Sequence, residues 1–328
     1  MGDNTGIEWT DATWNPTTGC TKVSQGCKHC YAERDWPRLV HLPAYQGREF
    51  TDVACHPERL DQPLRWRKPR RIFVNSMSDL FHESVPDEFI DQVFAVMALA
   101  HQHTFQVLTK RPARMLAYMN RLGRSAKILE VGARIVGYTL MHDGICLADW
   151  PIPNVYLGVS VEDQVTADER IPLLLQTPAA VRWISAEPLL GPIDLRFLQP
   201  ADPPTEIDAL NGTHGVIRPH RGICDRLDWV VAGGESGPKA RPSHPDWFRS
   251  LRDQCKAAGV PFLFKQWGEW SASWGGGTHL LYLDGRLVSG HHDHPDAWKH
   301  RTAEPMMRSG KKAAGRLLDE VLHDEYPW

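Results

Sequence analysis

Arg71-Ile72-Phe73-Val74-Asn75-Ser76-Met77-Ser78-Asp79 reads as a short apolar run that ends in a polar turn. Runs of that length, bounded by turn residues, are typical of strands buried on both faces. A helix is expected next over 86–102, with Pro86 suited to its first turn. The same order then recurs along the chain. Thr104–Thr109 is the next strand, followed by Lys110-Arg111 and a helix from Pro112 to about 122. Asn154–Ser160 leads to Glu162 and a helix at about 163–176. Ala180–Ser185 ends at Glu187-Pro188, and Leu227–Ala232 ends at Gly233-Gly234-Glu235-Ser236-Gly237. A helix at Pro245–Ala258 and a strand at Pro261–Lys265 complete the series. Apolar strands alternating with amphipathic helices specify an α/β chain with a parallel sheet. One further strand is expected before or around residues 19–32. The count is then six to seven units, which predicts a partial or complete (β/α) barrel of the TIM-like kind. A doubly wound open sheet is the alternative.

The barrel is expected to span 1–270, with insertions near 123–150 and 199–226, and a C-terminal extension to cover 271–328. Within the extension, a hairpin is expected at 279–289 and a last helix at about 310–323. The 328 residues, 42% of them hydrophobic, suffice for a sizeable core. A net charge of −3 offers no global attraction to nucleic acid or to acidic membranes. No apolar run is long enough for a spanning helix, and the first residues lack the pattern of a signal peptide. Seven cysteines, an odd number in a chain without export signals, read as cytoplasmic thiols. Cys55, Cys146, Cys224 and Cys255 are scattered and expected to be buried thiols. The thirteen tryptophans are expected mainly in packing, with Trp9 and Trp14 as early anchors.

In parallel α/β folds the functional face lies at the C-terminal ends of the strands. Asp79, Lys110, Arg111, Glu162, Glu187, Glu235 and Lys265 all fall there. Taken singly, each acidic residue could cap the following helix. Taken together they describe a site for a polar ligand. The glycine-rich turn at 233–237 permits close backbone approach, although it is neither a dinucleotide fingerprint nor a phosphate loop. Arg65, Arg67, Lys68, Arg70 and Arg71 surround Trp66 and could bind phosphates while the indole stacks a base. A solvated surface is the plainer reading of that stretch.

Upstream of the first clear strand, Gly19-Cys20-Thr21-Lys22-Val23-Ser24-Gln25-Gly26-Cys27-Lys28-His29-Cys30-Tyr31-Ala32 carries three cysteines spaced C-x6-C-x2-C. Thiolates at such spacing can close around one metal centre, and their softness selects zinc, copper(I) or an iron–sulfur cluster. Structural zinc normally takes four protein ligands, whereas a reactive site keeps one position open. Three cysteines without an evident fourth favour the open kind. Zinc completed by His29 or His41 remains chemically possible. His291, His292 and His294 read as an exposed loop.

A cysteine triad ahead of a run of βα units resembles the radical S-adenosylmethionine (radical SAM) superfamily. Trp9-Thr10-Asp11-Ala12-Thr13-Trp14-Asn15-Pro16, the segment Gly19–Ala32, Asn75–Phe81, Leu108–Pro112, Ser185–Leu189, Gly233–Gly237 and Gly310–Arg316 resemble more closely a phage-associated radical-SAM-like family of poorly defined function. The first gap departs from the superfamily's usual C-x3-C-x2-C, and His29 stands where an aromatic residue is usual. The resemblance implies a [4Fe–4S] cluster on Cys20, Cys27 and Cys30, with SAM chelated by the fourth iron. One-electron reduction by a flavodoxin or ferredoxin would then cleave SAM to methionine and a 5′-deoxyadenosyl radical. It further implies Asn75, Ser78, Asp79, Gly233, Gly234 and Glu235 as contacts to SAM. Lys110, Arg111, Glu162, Glu187 and Lys265 would orient a substrate, with nucleic acid or nucleotide, peptide or small metabolite as the classes open.

Overall fold

The computed structural model describes residues 5–137, 150–201, 206–215, 222–273, 278–289 and 303–327. Seven parallel strands form its principal sheet: β1 (Ala12–Trp14), β2 (Arg71–Val74), β3 (Thr104–Thr109), β4 (Val155–Ser160), β5 (Val181–Ala186), β6 (Trp229–Gly233) and β7 (Phe262–Gln266). They stand in the order β1-β2-β3-β4-β5-β6-β7, which is also the order of the chain. An order without reversal is that of a (β/α) barrel winding, whereas a doubly wound sheet reverses at a switch point. β1 and β7 are the two ends of the order, so the sheet is open. The strand expected near the cysteine loop is β1, immediately upstream of it.

The chain packs as two compact units. The first comprises residues 1–23, 32–159 and 173–182. In it, β1 to β4 are backed by α1 (Asp87–Leu99), α2 (Pro112–Met119) and α3 (Arg124–Val136). Helix α1 starts at Pro86 with Asp87 and Glu88 in its first turn, where carboxylates favour the helix dipole. It buries Phe89, Ile90, Val93, Phe94, Val96 and Met97. The first part of the insertion expected near 123–150 forms α3, and residues 138–149 lie outside the described residues. A buried polar knot joins the helices of this unit. The Tyr118 hydroxyl donates to Asp91 at 2.8 Å, the Arg124 guanidinium pairs with Asp91 and Asp87, and it lies 3.8 Å over the Tyr118 ring.

The second unit comprises 24–31, 160–172 and 183–328. β5 to β7 run parallel there, beside α4 (Gln164–Leu175) and α5 (Pro245–Ala258). Trp183 and Trp229, paired across β5 and β6, are fully buried with ring centroids 5.3 Å apart. The insertion near 199–226 carries a small antiparallel sheet of Glu206–Asp208, Thr213–Gly215 and Gly222–Ile223. Past β7, the strands β8 (Trp270–Ala272), β9 (His279–Tyr282), β10 (Leu287–Ser289) and β11 (Ala303–Arg308) form an antiparallel sheet. β9 and β10 are the expected hairpin.

The expected last helix over 310–323 is corrected. Only Lys311–Ala314 is helical, and Leu317–Leu318 then pairs antiparallel with Val321–Leu322. Gly315, Asp319 and Glu320 have positive φ, which ends the helix and turns the chain.

Removing Asp91 leaves Arg124 buried with only Asp87 beside it. Breaking a buried pair from one side costs about 3 kcal/mol. Asp91→Ala is therefore expected to lower the stability in urea by that amount, and an unchanged midpoint would show that the knot contributes little.

Candidate functional site

In the first unit the site begins where β2 ends. Asn75 takes a left-handed backbone (φ 63°), which asparagine tolerates better than most residues. Its Oδ1 accepts from Thr17 N at 3.4 Å, while Nδ2 is buried and has no hydrogen-bond partner among the described residues. Ser78 Oγ donates to the Thr17 carbonyl at 2.9 Å and lies 2.7 Å from Thr17 Oγ1. The Asn15 side chain accepts from Met77 N at 3.0 Å. The turn after β2 is thereby tied to the chain leaving β1.

Asp79 is buried and accepts from Phe81 N, Thr109 Oγ1 and Lys110 N at 3.0, 2.7 and 3.0 Å. Arg111, 6% exposed, is the second residue after β3 and immediately precedes α2. Its guanidinium approaches Asp79 at 3.4 Å and Glu83 at 2.9 Å, and donates to Thr21 Oγ1 at 2.9 Å. It also points an N–H at the Cys20 sulfur, 3.7 Å away. Burial works against the Arg111 cation, but the charges of Asp79, Cys20 and Glu83 outweigh it and hold its pKa above the usual value.

The second unit holds the middle of the same loop. Gln25–Cys27 forms one 3-10 turn. Glu162, fully buried after β4, accepts from Ser24 Oγ at 2.9 Å and pairs with Arg170 at 3.2 Å. Gly26 sits against that carboxylate so closely that a Cβ would fall 2.3 Å from Glu162 Oε1. Arg241 forks onto Glu235 at 2.6 and 2.8 Å and donates to the Gln25 carbonyl at 3.0 Å. Lys265 bonds both oxygens of Glu187, at 2.9 and 2.8 Å, and Gln266 Nε2 donates to the same carboxylate at 3.2 Å. Gly234 meets the Trp267 carbonyl, where a Cβ would approach to 1.9 Å, so this glycine answers to backbone packing.

Cys20, Cys27 and Cys30 are half-buried and in no disulfide. Among the described residues no group of three or more His, Cys, Asp or Glu side chains is gathered to hold a metal ion. That covers the thiols as they stand and any zinc set with His29 or His41. His291, His292 and His294 lie outside the described residues, as does Cys146. Cys255 is buried, and burial pushes its thiol up to about 12. Cys55 and Cys224 are only half-buried.

Each strand-end residue singled out in the sequence lies at the expected end of its strand. Asp79 and Arg111 meet in the first unit, and Glu187 and Lys265 in the second. Of their other partners, Arg170 and Arg241 belong to no motif, and Ser24 and Gly26 fall in the six-residue gap of the cysteine motif, whose spacing says nothing of them. The basic stretch is largely engaged, with Arg65 on Asp61, Arg71 on Asp11 and Arg70 stacked 4.8 Å from Trp66. Arg67 and Lys68 are exposed. Among the described residues no helix is long and apolar enough to cross a membrane.

A family described as a protein of unknown function, DUF5131, matches residues 4–327. No curated protein and no solved structure matches the chain.

Two buried histidines flank the start of the cysteine loop. His56 Nε2 lies 2.8 Å from Thr18 Oγ1, and His82 Nε2 lies 2.9 Å from Thr21 Oγ1. Burial above all, with nearby arginines, lowers both pKa values from the ordinary 6.5. Their stabilisation is complete above 6.5 and is lost as pH falls from there through the lower folded values. Stability followed by urea titration is expected to decline over that range, and His56→Gln with His82→Gln to flatten the decline.

Proposed function

The chain belongs to the DUF5131 family of proteins of unknown function, and we propose that it is a radical SAM enzyme working on a nucleic acid or nucleotide. The observation that carries the reading is the loop after β1, which offers three thiols within eleven residues, none of them in a disulfide. The donor set fits a [4Fe–4S] cluster in kind and in number, since three thiolates leave one iron for SAM. Loading has to draw the thiols together. When bound and reduced, the cluster supplies the electron that opens the sulfonium bond of SAM. The reading takes the parallel sheet as a partial TIM-like barrel, which the unreversed strand order supports. A flavodoxin or ferredoxin would be the donor, and a reducing cytoplasm would keep the half-buried thiols free.

The chain's own part is to bind, orient and exclude water. Asn75 Nδ2 is a buried donor lacking an acceptor, as a contact to a bound ligand would be. Ser78 and Asp79 adjoin it in sequence, and Gly233, Gly234 and Glu235 offer the corresponding turn after β6. Lys110 and the paired Glu187 and Lys265 would orient a substrate. Arg67 and Lys68 are exposed cations suited to a phosphate backbone.

Protein purified and reconstituted without oxygen is expected to carry about four iron and four sulfide per chain. Reduction in the presence of SAM is expected to release 5′-deoxyadenosine, and Cys27→Ala to abolish both. One zinc per chain without sulfide would overturn the reading. For the substrate class, retention on single-stranded DNA or RNA at low salt is expected to fall several-fold in Arg67→Glu/Lys68→Glu. Equal retention would remove this stretch as the contact.

A further inference from the structure

Two charged groups at the strand ends, and the arginine paired with a third, contact the cysteine loop. In the first unit Arg111 contacts Cys20 and Thr21 while pairing with Asp79 and Glu83. In the second, Glu162 takes the Ser24 hydroxyl and abuts Gly26 while pairing with Arg170. Arg241 takes the Gln25 carbonyl while pairing with Glu235. Each contact falls between the first and second cysteines or on the first itself. We propose that Arg111, Glu162 and Arg241 are positioning residues that seat the six-residue gap of C-x6-C-x2-C, and that Gly26 is the fitted surface for Glu162.

The physical case rests on how little these groups can move. Arg111, Glu162 and Arg170 are 6%, 0% and 2% exposed. A buried charge displaced from its partner is left uncompensated, so each pair holds its own place strongly. A loop atom bonded to such a pair inherits that fixity. Glu162 illustrates it: its carboxylate cannot retreat from a Cβ at position 26, because Arg170 and Ser24 hold it from other directions. Only a loop without a side chain at that point can lie where this one does. An arginine–carboxylate pair is also the right tool for the purpose. The guanidinium has five donors in a fixed fork, so it can satisfy a carboxylate and still donate to a backbone carbonyl or hydroxyl. Arg111 and Arg241 both do so. A gap of six residues, longer than the superfamily's usual three, gives the loop more freedom to lose, and three separate strand ends supply the restraint.

The purpose of the seating rests on the cluster reading, but its geometry does not, and the test separates the two. Hydrogen–deuterium exchange is measured on the metal-free full-length chain, and iron is then measured after reconstitution. Gly26→Ala is expected to speed exchange in peptides covering 22–30 by about tenfold, leaving β2, β3 and α5 unchanged. Arg111→Gln is expected to do the same for peptides covering 19–22. Both variants are expected to take up less than half the iron of the parent. Exchange that stays at the parental rate in the loop of Gly26→Ala overturns the proposal. So does exchange that rises equally through the sheet, since that marks a general structural role. If the loop loosens as expected while the parent itself binds no iron, the seating stands and the cluster reading falls.

Discussion

A guanidinium cannot be buried alone. Moving such a cation out of water costs several kcal/mol even after relaxation, and only close opposite charge offsets it. Arg111 is placed in that position by the chain's own winding. β3 ends at Thr109 and α2 begins at Pro112, and of the two residues between them Arg111 is the buried one while Lys110 is half-buried. Asp79 meets the cation, and Asp79 is itself fixed by three donors from its own turn and from the end of β3. The start of the cysteine loop completes the shell. The first thiol thus stands where it does because a buried charge two strands away in the order needs partners.

Most of the fold was legible because its signals do not compete. β2, β3 and β4 are apolar runs of four to six residues, too short for helices. α5 opens with a proline and stops at Gly259 in the left-handed conformation, a start and stop readable without tertiary help. The C-terminal segment was misread because its pattern fits two periods. Leu317, Leu318, Val321 and Leu322 lie four apart, as on a helix face, but the same spacing suits two strands joined by a two-residue turn. Tertiary bonds decide the matter. Trp267 Nε1 donates to the Leu317 carbonyl at 2.8 Å, Phe264 N to His323 O at 3.0 Å and Arg316 Nε to Lys265 O at 3.0 Å. These bonds tie the segment to β7 and to the residue just after it, which no local propensity records.

The site was legible to a different degree. That Asp79, Glu162, Glu187 and Glu235 would gather at strand ends follows from parallel winding alone. What they would pair with does not. Arg170 lies eight residues past Glu162 and Arg241 six past Glu235, distances that match no motif. Gly26 carries no signal of its own in the sequence, since its role depends on the carboxylate of Glu162 beside it.

The pairing also changes what the strand ends offer. Within the first unit Arg111 answers Asp79 and Glu83, and within the second Arg170, Arg241 and Lys265 answer Glu162, Glu235 and Glu187. In the second unit, where each carboxylate has one cation, the pairs present little net field. What the pairing leaves unanswered is a small set of hydrogen-bonding groups. Asn75 is the clearest of these in the first unit, with a buried amide donor and a backbone strained to keep it there. Gln266, whose Oε1 is buried without a partner beside Glu187, is its counterpart in the second.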